Sequence, residues 1–227
     1  MKKLKIQIVS DVVCPWCYIG KSRLEKALQE NPEVQAEISW APFQLHPEIP
    51  EGNQENYLEF LGNKYNRDPQ PMIDQMENVA FQEGVKMQFS NIKNVPNTLQ
   101  AHRLMHLARK EGKDDTLSII LFKAYFEEGK DVENQATLVD YGKAAGLSDA
   151  AITAFQNDES LIEEVKKEET QYRQAGISAV PTFIVNDQYM IQGAQPADVW
   201  QNAFSQIEGL ATDAEGQCGP DGCSTEP

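Results

Sequence analysis

The sequence predicts an α/β protein in two halves, with a run of helices spliced between them. Three observations carry this. Residues 4–10 alternate and are β-rich, residues 15–29 turn to helical spacing, and residues 34–43 alternate again, which makes a β-α-β unit. Toward the other end, β-rich runs at 179–185 and 189–191 flank the turn Asn186-Asp187 as a hairpin. Between them, about a hundred residues carry helical periodicity and turn signals rather than strands.

Each element has a local reason. In the first helix Trp16, Ile19, Leu24 and Leu28 recur at helical spacing, and Asn31-Pro32 ends it. In the second strand Val34, Ala36, Ile38 and Trp40 alternate until Pro42. A Pro/Gly loop at 48–53 opens the helical stretch, with helices expected at 54–66, 70–84, 95–111, 113–128, 134–145 and 148–156. Asn94-Val95-Pro96-Asn97 is read as the start of the third, and Gly112, Gly129 and Gly146 as ends. Residues 86–89 alone look strand-like there. A helix over 158–175 stops at Gly176, and Pro196 opens a last helix through Ile207. The rest is rich in Gly, Asp, Ser and Pro and reads as a flexible tail. The expected units are 1–50, 51–157 (the helical insertion), 158–208 and 209–227. Trp40, Trp200 and the Phe and Tyr residues have the spacing of core packing, and no cofactor is read from them.

A length of 227 residues with 41% hydrophobic content suits one large domain carrying an insertion. No stretch approaches the ~20 apolar residues that span a bilayer. Lys2, Lys3 and Lys5 precede an apolar run, but Gln7, Ser10 and Asp11 interrupt it and no small-residue cleavage site follows. It reads as a strand rather than a leader, which points to the cytoplasm. The 35 acidic against 20 basic residues give a net charge of −15. Such a surface repels nucleic acid and anionic lipid, so neither is an expected partner.

The cysteines form two close pairs, Cys14 with Cys17 and Cys218 with Cys223. In a reducing compartment paired cysteines point to catalysis, redox sensing or metal. Cys14-Pro15-Trp16-Cys17 stands where a strand gives way to a helix. There the positive end of the helix dipole favours a thiolate on Cys14, and Cys17, one turn in, is placed to attack a mixed disulfide on it. The competing reading is half of a zinc site, which needs two more ligands from Cys218, Cys223 and three histidines. The interposed Pro-Trp suits a zinc knuckle poorly, and no metal is expected.

Val180-Pro181 is the second signal. Cis X-Pro bonds are only about 5–6% of such bonds in general, but a Pro opening a β-rich run downstream of a C-x-x-C suits a cis bond facing the dithiol. It would hold the Val180 backbone beside the sulfurs to pair with an extended substrate. Asp11 is the nearest proton acceptor for Cys17, with a plain turn or helix N-terminal role as its alternative. Cys218-Gly219-Pro220-Asp221-Gly222-Cys223 has the turn residues to close a small disulfide loop, and its alternatives are an exposed pair without a role or a weak metal site. His102 and His106 stand at i, i+4, a spacing that suits metal, yet no acidic third ligand is obvious and core or helix-surface roles are expected. His46 is read as a loop residue.

Cys14-Pro15-Trp16-Cys17 and Val180-Pro181-Thr182 resemble the DsbA-like thioredoxin superfamily. More narrowly, the runs at 11–17, 42–45, 97–104 and 191–196 look like its FrnE-like branch, and the similarity covers residues 4–207. The resemblance implies a thioredoxin-like fold with an inserted all-helical domain between the second strand and the cis-Pro half. It also implies protein disulfide oxidoreductase or isomerase activity, active-site support from Pro15 and Trp16, and communication between the tail pair and the catalytic pair. It places Asn97 and Ala101-His102-Arg103 near the active face. The periplasmic oxidant DsbA has Pro-His between its cysteines; Trp16 carries no comparable charge, so a less oxidising pair is expected. The acid often found six residues before the first Cys is replaced here by Ile8.

The expected activity is oxidation, reduction or isomerisation of protein or small-molecule disulfides and dithiols. The pair would be reset by glutathione or a thioredoxin system, with no bound cofactor. Two alternatives stay open. One is a glutathione-dependent isomerase or transferase on the same fold, although those relatives usually replace the first Cys with Ser and lack the second. The other is a redox-sensing binding protein in which disulfide formation gates a partner.

Overall fold

The computed structural model describes residues 2–215, with side chains over 3–207. Strand β1 (Lys2–Ser10) buries Leu4, Ile6 and Ile8 in the main core and Val9 in a second, smaller cluster on its other face. A strand covered on both faces belongs inside a sheet. The order is indeed β2-β1-β3-β4. Strand β2 (Val34–Pro42) runs parallel to β1 with Trp40 opposite Ile8. Strand β3 (Thr182–Val185) runs antiparallel to β1 with Phe183 opposite Ile8, and β4 (Tyr189–Gln192) closes the hairpin. Asn186 and Asp187 both take positive φ, the two-residue turn whose twist matches a hairpin. The Lys5 backbone N–H donates to the Asn186 side chain at 3.0 Å, tying that turn back to β1.

Helix α1 (Pro15–Glu30) starts directly beyond β1 and buries Ile19, Leu24 and Ala27 in the main core. Gly20 permits its close approach to the hairpin: a Cβ there would lie 3.1 Å from Phe183 and 3.2 Å from Pro181. Helix α9 (Ala197–Glu215) packs beside α1, with Trp200 edge-on to Phe183 at 4.9 Å between ring centres. Across the sheet lies α8 (Ser160–Gln174). Its Tyr172 packs on the cluster of Val9, Ala41, Phe43 and Ile177 and donates its hydroxyl proton to Gln7 at 2.8 Å.

Helices α2 (Tyr57–Tyr65), α3 (Gln70–Gln82), α4 (Leu99–Lys110), α5 (Asp114–Phe122), α6 (Gln135–Ala144) and α7 (Asp149–Asn157) separate β2 from α8. This is a thioredoxin-like fold with a helical insertion. Helix α4 is its axis, buried from Leu99 through Met105 except at Gln100 and packed on α5, α6, α7, α8 and β2. Polar anchors fix the helices to the sheet. Arg109 on α4 clamps Glu168 of α8 through two bonds of 2.6 Å and donates to the Trp40 carbonyl at 2.9 Å. Burial pushes the Glu168 carboxyl up, but His106 and Arg109 outweigh it and hold it down at about 2. Lys21 of α1, almost fully buried, pairs with Asp115 of α5 at 3.1 Å.

Several boundaries differ from expectation, each for a physical reason. The expected 95–111 helix starts at Leu99: the Asn97 side chain accepts the Leu99 N–H at 2.9 Å and donates to the Ile49 carbonyl at 2.6 Å, which keeps the preceding residues in a strap. The expected 54–66 helix starts at Tyr57 because Asn56 caps it, accepting from Leu58 and Glu59. Residues 86–89 are not a strand. Met87 and Phe89 are buried there as pegs, and a short 3-10 turn follows at Phe89–Asn91. The 113–128 helix ends in a π turn, Lys123–Glu127, that brings Tyr125 and Phe126 into the core. Helix α9 runs to Glu215, beyond Ile207.

Gly129 ends that π turn with φ of 62°, and a Cβ there would lie 2.1 Å from the Asn91 carbonyl oxygen. Gly146 has a similar positive φ of 84° in open space. Gly146→Ala is expected to cost about 1 kcal/mol of unfolding free energy from backbone strain alone, and Gly129→Ala at least twice that, roughly 3 kcal/mol, because the 3-10 turn must move. Urea denaturation of both variants checks this, and equal losses would contradict it.

Candidate active site

The site is built where β1 ends. Cys14 caps α1 with φ −91° and ψ 109°, and Pro15 is the first helical residue, where its missing N–H costs nothing. The Cys14 carbonyl accepts the N–H of Cys17 at 3.0 Å, so the second cysteine sits in the first turn directly behind the first. Both thiols are free and buried, Cys14 at 3% exposure and Cys17 at 0%. The Cys14 thiol faces the Val180 carbonyl oxygen at 3.7 Å, and the Val180–Pro181 peptide is cis. Of the residues singled out in sequence, Cys14, Pro15, Trp16 and Val180 therefore line one place, with Cys17 behind them and Pro181 packed against α1 at Gly20.

The electrostatics separate the two sulfurs. Burial pushes the Cys17 thiol well above its ordinary value, and Cys14 beside it adds to the rise; the Ser10 hydroxyl and the Asp11 backbone pull the other way. Cys17 is a protonated thiol at neutral pH.

Asp11 is fully buried. One carboxylate oxygen accepts the Leu45 N–H at 2.7 Å, and the other faces His102 Nε2 of α4 at 3.3 Å. Its carboxylate is thus turned toward the helical insertion. His102 and His106 are engaged separately, His106 with Glu164 at 2.9 Å, so the two imidazoles do not converge on a shared metal position. His46 packs edge-on to Phe60 and pairs with Glu48 at 2.9 Å. Cys218 and Cys223 lie outside the described residues.

The sequence reading missed the wall opposite the dithiol. Helices α2 and α3 bring Tyr57, Phe60, Tyr65, Met72 and Met76 over Cys14, Trp16 and Val180, enclosing a groove of about 260 Å³. Trp16 and Tyr65 are its exposed aromatic rims, at 40% and 45% exposure. The signal was present as apolar residues at i, i+4 and i+8 in Tyr57, Leu61 and Tyr65, and at i, i+4 in Met72 and Met76. Core packing explains such a pattern equally well, so it does not identify a groove by itself. Buried Tyr18, next to Cys17, donates its hydroxyl to Glu127 at 2.9 Å and stacks on Phe122, which fixes α1 to the insertion.

A family model for the DSBA-like thioredoxin domain matches residues 5–205. The Bacillus subtilis (strain 168) protein YwbO is 28% identical over 204 residues, covering 88% of this chain and 95% of YwbO. The crystal structure of a probable DsbA oxidoreductase from Streptomyces coelicolor superposes with a TM-score of 0.80 at 29% identity, covering 99% of this chain and 100% of that one. At 16% identity, where the likeness is one of fold, the Pseudomonas aeruginosa cytosolic disulfide reductase DsbM, solved with GSH, superposes with a TM-score of 0.61 over 91% of this chain and 99% of its own. A dithiol at a helix mouth, a backbone carbonyl facing it and a match across nearly the whole chain agree: this protein belongs to the DSBA-like thioredoxin domain family of thiol–disulfide oxidoreductases.

Proposed function

We propose that the chain reduces or isomerises disulfides of extended, partly apolar polypeptides in the cytoplasm, with Cys14 as nucleophile and Cys17 as resolving thiol. The observation that carries this reading is the position of Cys14, at the mouth of α1 and at the floor of an apolar groove. The N-terminal end of a helix dipole favours a thiolate. In the cycle, Cys14 thiolate attacks one sulfur of a substrate disulfide and releases the other as thiolate. Cys17 then loses its proton and attacks Cys14, which frees the second substrate thiol and leaves a Cys14–Cys17 disulfide. Two glutathione thiols restore the dithiol and leave as glutathione disulfide. The binding of GSH by DsbM supports that class of reductant. Isomerisation needs no net reductant, because another substrate thiol resolves the mixed disulfide.

Substrate recognition follows from the groove. The Val180 backbone offers hydrogen bonds to an extended chain beside the sulfur. Aromatic and Met side chains of α2 and α3 offer a soft apolar wall that adapts to varied sequences. Pro15 and Trp16 complete its near edge. The uncharged Trp16 favours reduction or isomerisation over strong oxidation. The FrnE-like motifs and the tail pair Cys218–Cys223 fit a second redox pair that exchanges with Cys14–Cys17.

Two outcomes test this. Reduced protein treated briefly with iodoacetamide near neutral pH is expected to carry the label on Cys14 and not on Cys17, read by peptide mass spectrometry. Insulin reduction and the refolding of scrambled ribonuclease are expected for wild type and lost in Cys14→Ser. Activity retained in Cys14→Ser would sink the function, whereas wild-type activity in Cys218→Ser would remove only the tail relay.

A further inference from the structure

Resolution requires Cys17 to lose a proton in a place that water does not reach. Cys17 is fully buried and its thiol is pushed up by that burial. The groove is lined by Cys14 and not by Cys17, so the proton needs a separate acceptor.

Beside Ser10 lies a small cavity of about 10 Å³, lined by Ser10, Val12, His102, His106, Arg109 and Ser118 among others. That volume is on the order of one water molecule. Ser10 is 4% exposed, lines the cavity and donates its hydroxyl to the Asp11 carbonyl at 3.4 Å; the same hydroxyl opposes the upward push of burial on the Cys17 thiol. His102, also 4% exposed, comes from the inserted helix α4. Among the described residues only four have buried side-chain polar atoms without a hydrogen-bond partner, and Asp11 Oδ1 and His102 Nε2 are two of those atoms. They face each other at 3.3 Å. An unpaired carboxylate oxygen at zero exposure is costly unless a cation or a shared proton stands against it. An imidazole that gains a proton beside a carboxylate supplies both, as in the orienting acid of a catalytic triad.

We propose that Asp11 and His102 form the proton acceptor for Cys17, reached through Ser10 and the cavity beside it. The inference rests on the function proposed above and adds the base for its second step. The proton leaves the Cys17 thiol and is taken up by the His102 imidazole, whose positive charge Asp11 neutralises. The Cys17 sulfur uses the freed electron pair to bond Cys14, and the Cys14–substrate bond breaks to release a substrate thiolate, which is protonated from solvent. His102 then returns its proton through the cavity, which His106 also lines; His106 itself is held by Glu164 at 2.9 Å and Arg109 at 3.2 Å. Other charged and titratable groups surround the pair: Tyr125 from the π turn, whose hydroxyl is pushed up by burial and further by the Asp11 charge, Arg109 along α4, and Glu168 from α8 behind it. Asp11 is a positioning residue here, and His102 is the base.

The test follows the two thiol releases when reduced protein carrying Cys218→Ser and Cys223→Ser, so that Cys14 and Cys17 are its only thiols, meets one equivalent of Ellman's reagent in a stopped-flow. The first reports attack by Cys14 and the second reports resolution by Cys17. His102→Gln is expected to leave the first phase unchanged and to slow the second by about a hundredfold near pH 7, the low end of general-base effects. The gap should narrow as pH rises, because hydroxide then deprotonates Cys17 directly. Ser10→Ala should show a smaller loss with the same pH shape, and it carries the test alone if His102→Gln does not fold. A second phase with the wild-type pH profile in both variants overturns the inference. So does a slowing equal at every pH, which means displacement of Cys17 rather than loss of a base. A wild type with no second phase overturns the proposed function and this step with it.

Discussion

The Cys14 sulfur and the Val180 carbonyl stand 3.7 Å apart although 166 residues separate them in the chain. Every major element bears on that closeness. It exists because β1 ends at Ser10 and pairs antiparallel with β3, so that Val9 lies opposite Thr182 and the residues before β3 arrive beside the mouth of α1. Gly20 removes the one side chain that would hold α1 off Pro181 and Phe183. The sheet is thus a jig that brings two distant backbone segments to one sulfur.

Splicing a set of helices into such a jig is tolerable because the central helices of the insertion, α4 and α5, are tied to the same strand. Arg109 and Asp114 bond the main chain of Trp40 on β2, and Glu168 of α8 locks Arg109 in turn. The insertion then contributes on two sides of the dithiol. Toward solvent, α2 and α3 form the apolar wall of the groove. Toward the interior, α4 delivers His102 to Asp11. A fold with the β-α-β unit and hairpin alone has neither.

The thioredoxin-like core was legible in the sequence because its signals are local: alternation in β1 and β2, a cysteine pair at a strand-to-helix change, an Asn-Asp turn between β-rich runs. Helices of the insertion were legible as helices, but their ends were set by tertiary hydrogen bonds. Asn97 reads as a helix start and instead bridges Leu99 to Ile49, 48 residues away. The groove wall and the His102–Asp11 pair were not legible for the same reason. Met72, Met76 and Tyr57 follow ordinary core spacing, and nothing near His102 in the chain announces Asp11, 91 positions earlier. Nearness in sequence suggests Asp11 as a proton acceptor for Cys17. The fold turns its carboxylate to His102, while the Ser10 hydroxyl and the Asp11 backbone act on the Cys17 thiol.

The central claim is that Cys14 bonds covalently to substrate and Cys17 releases it. The most direct measurement is to mix Cys17→Ser protein with a disulfide-bearing unfolded polypeptide and map the adduct by mass spectrometry without reductant. A stable mixed disulfide on Cys14 that is absent from wild type is the predicted result. No adduct, or one carried by a different cysteine, would contradict the account.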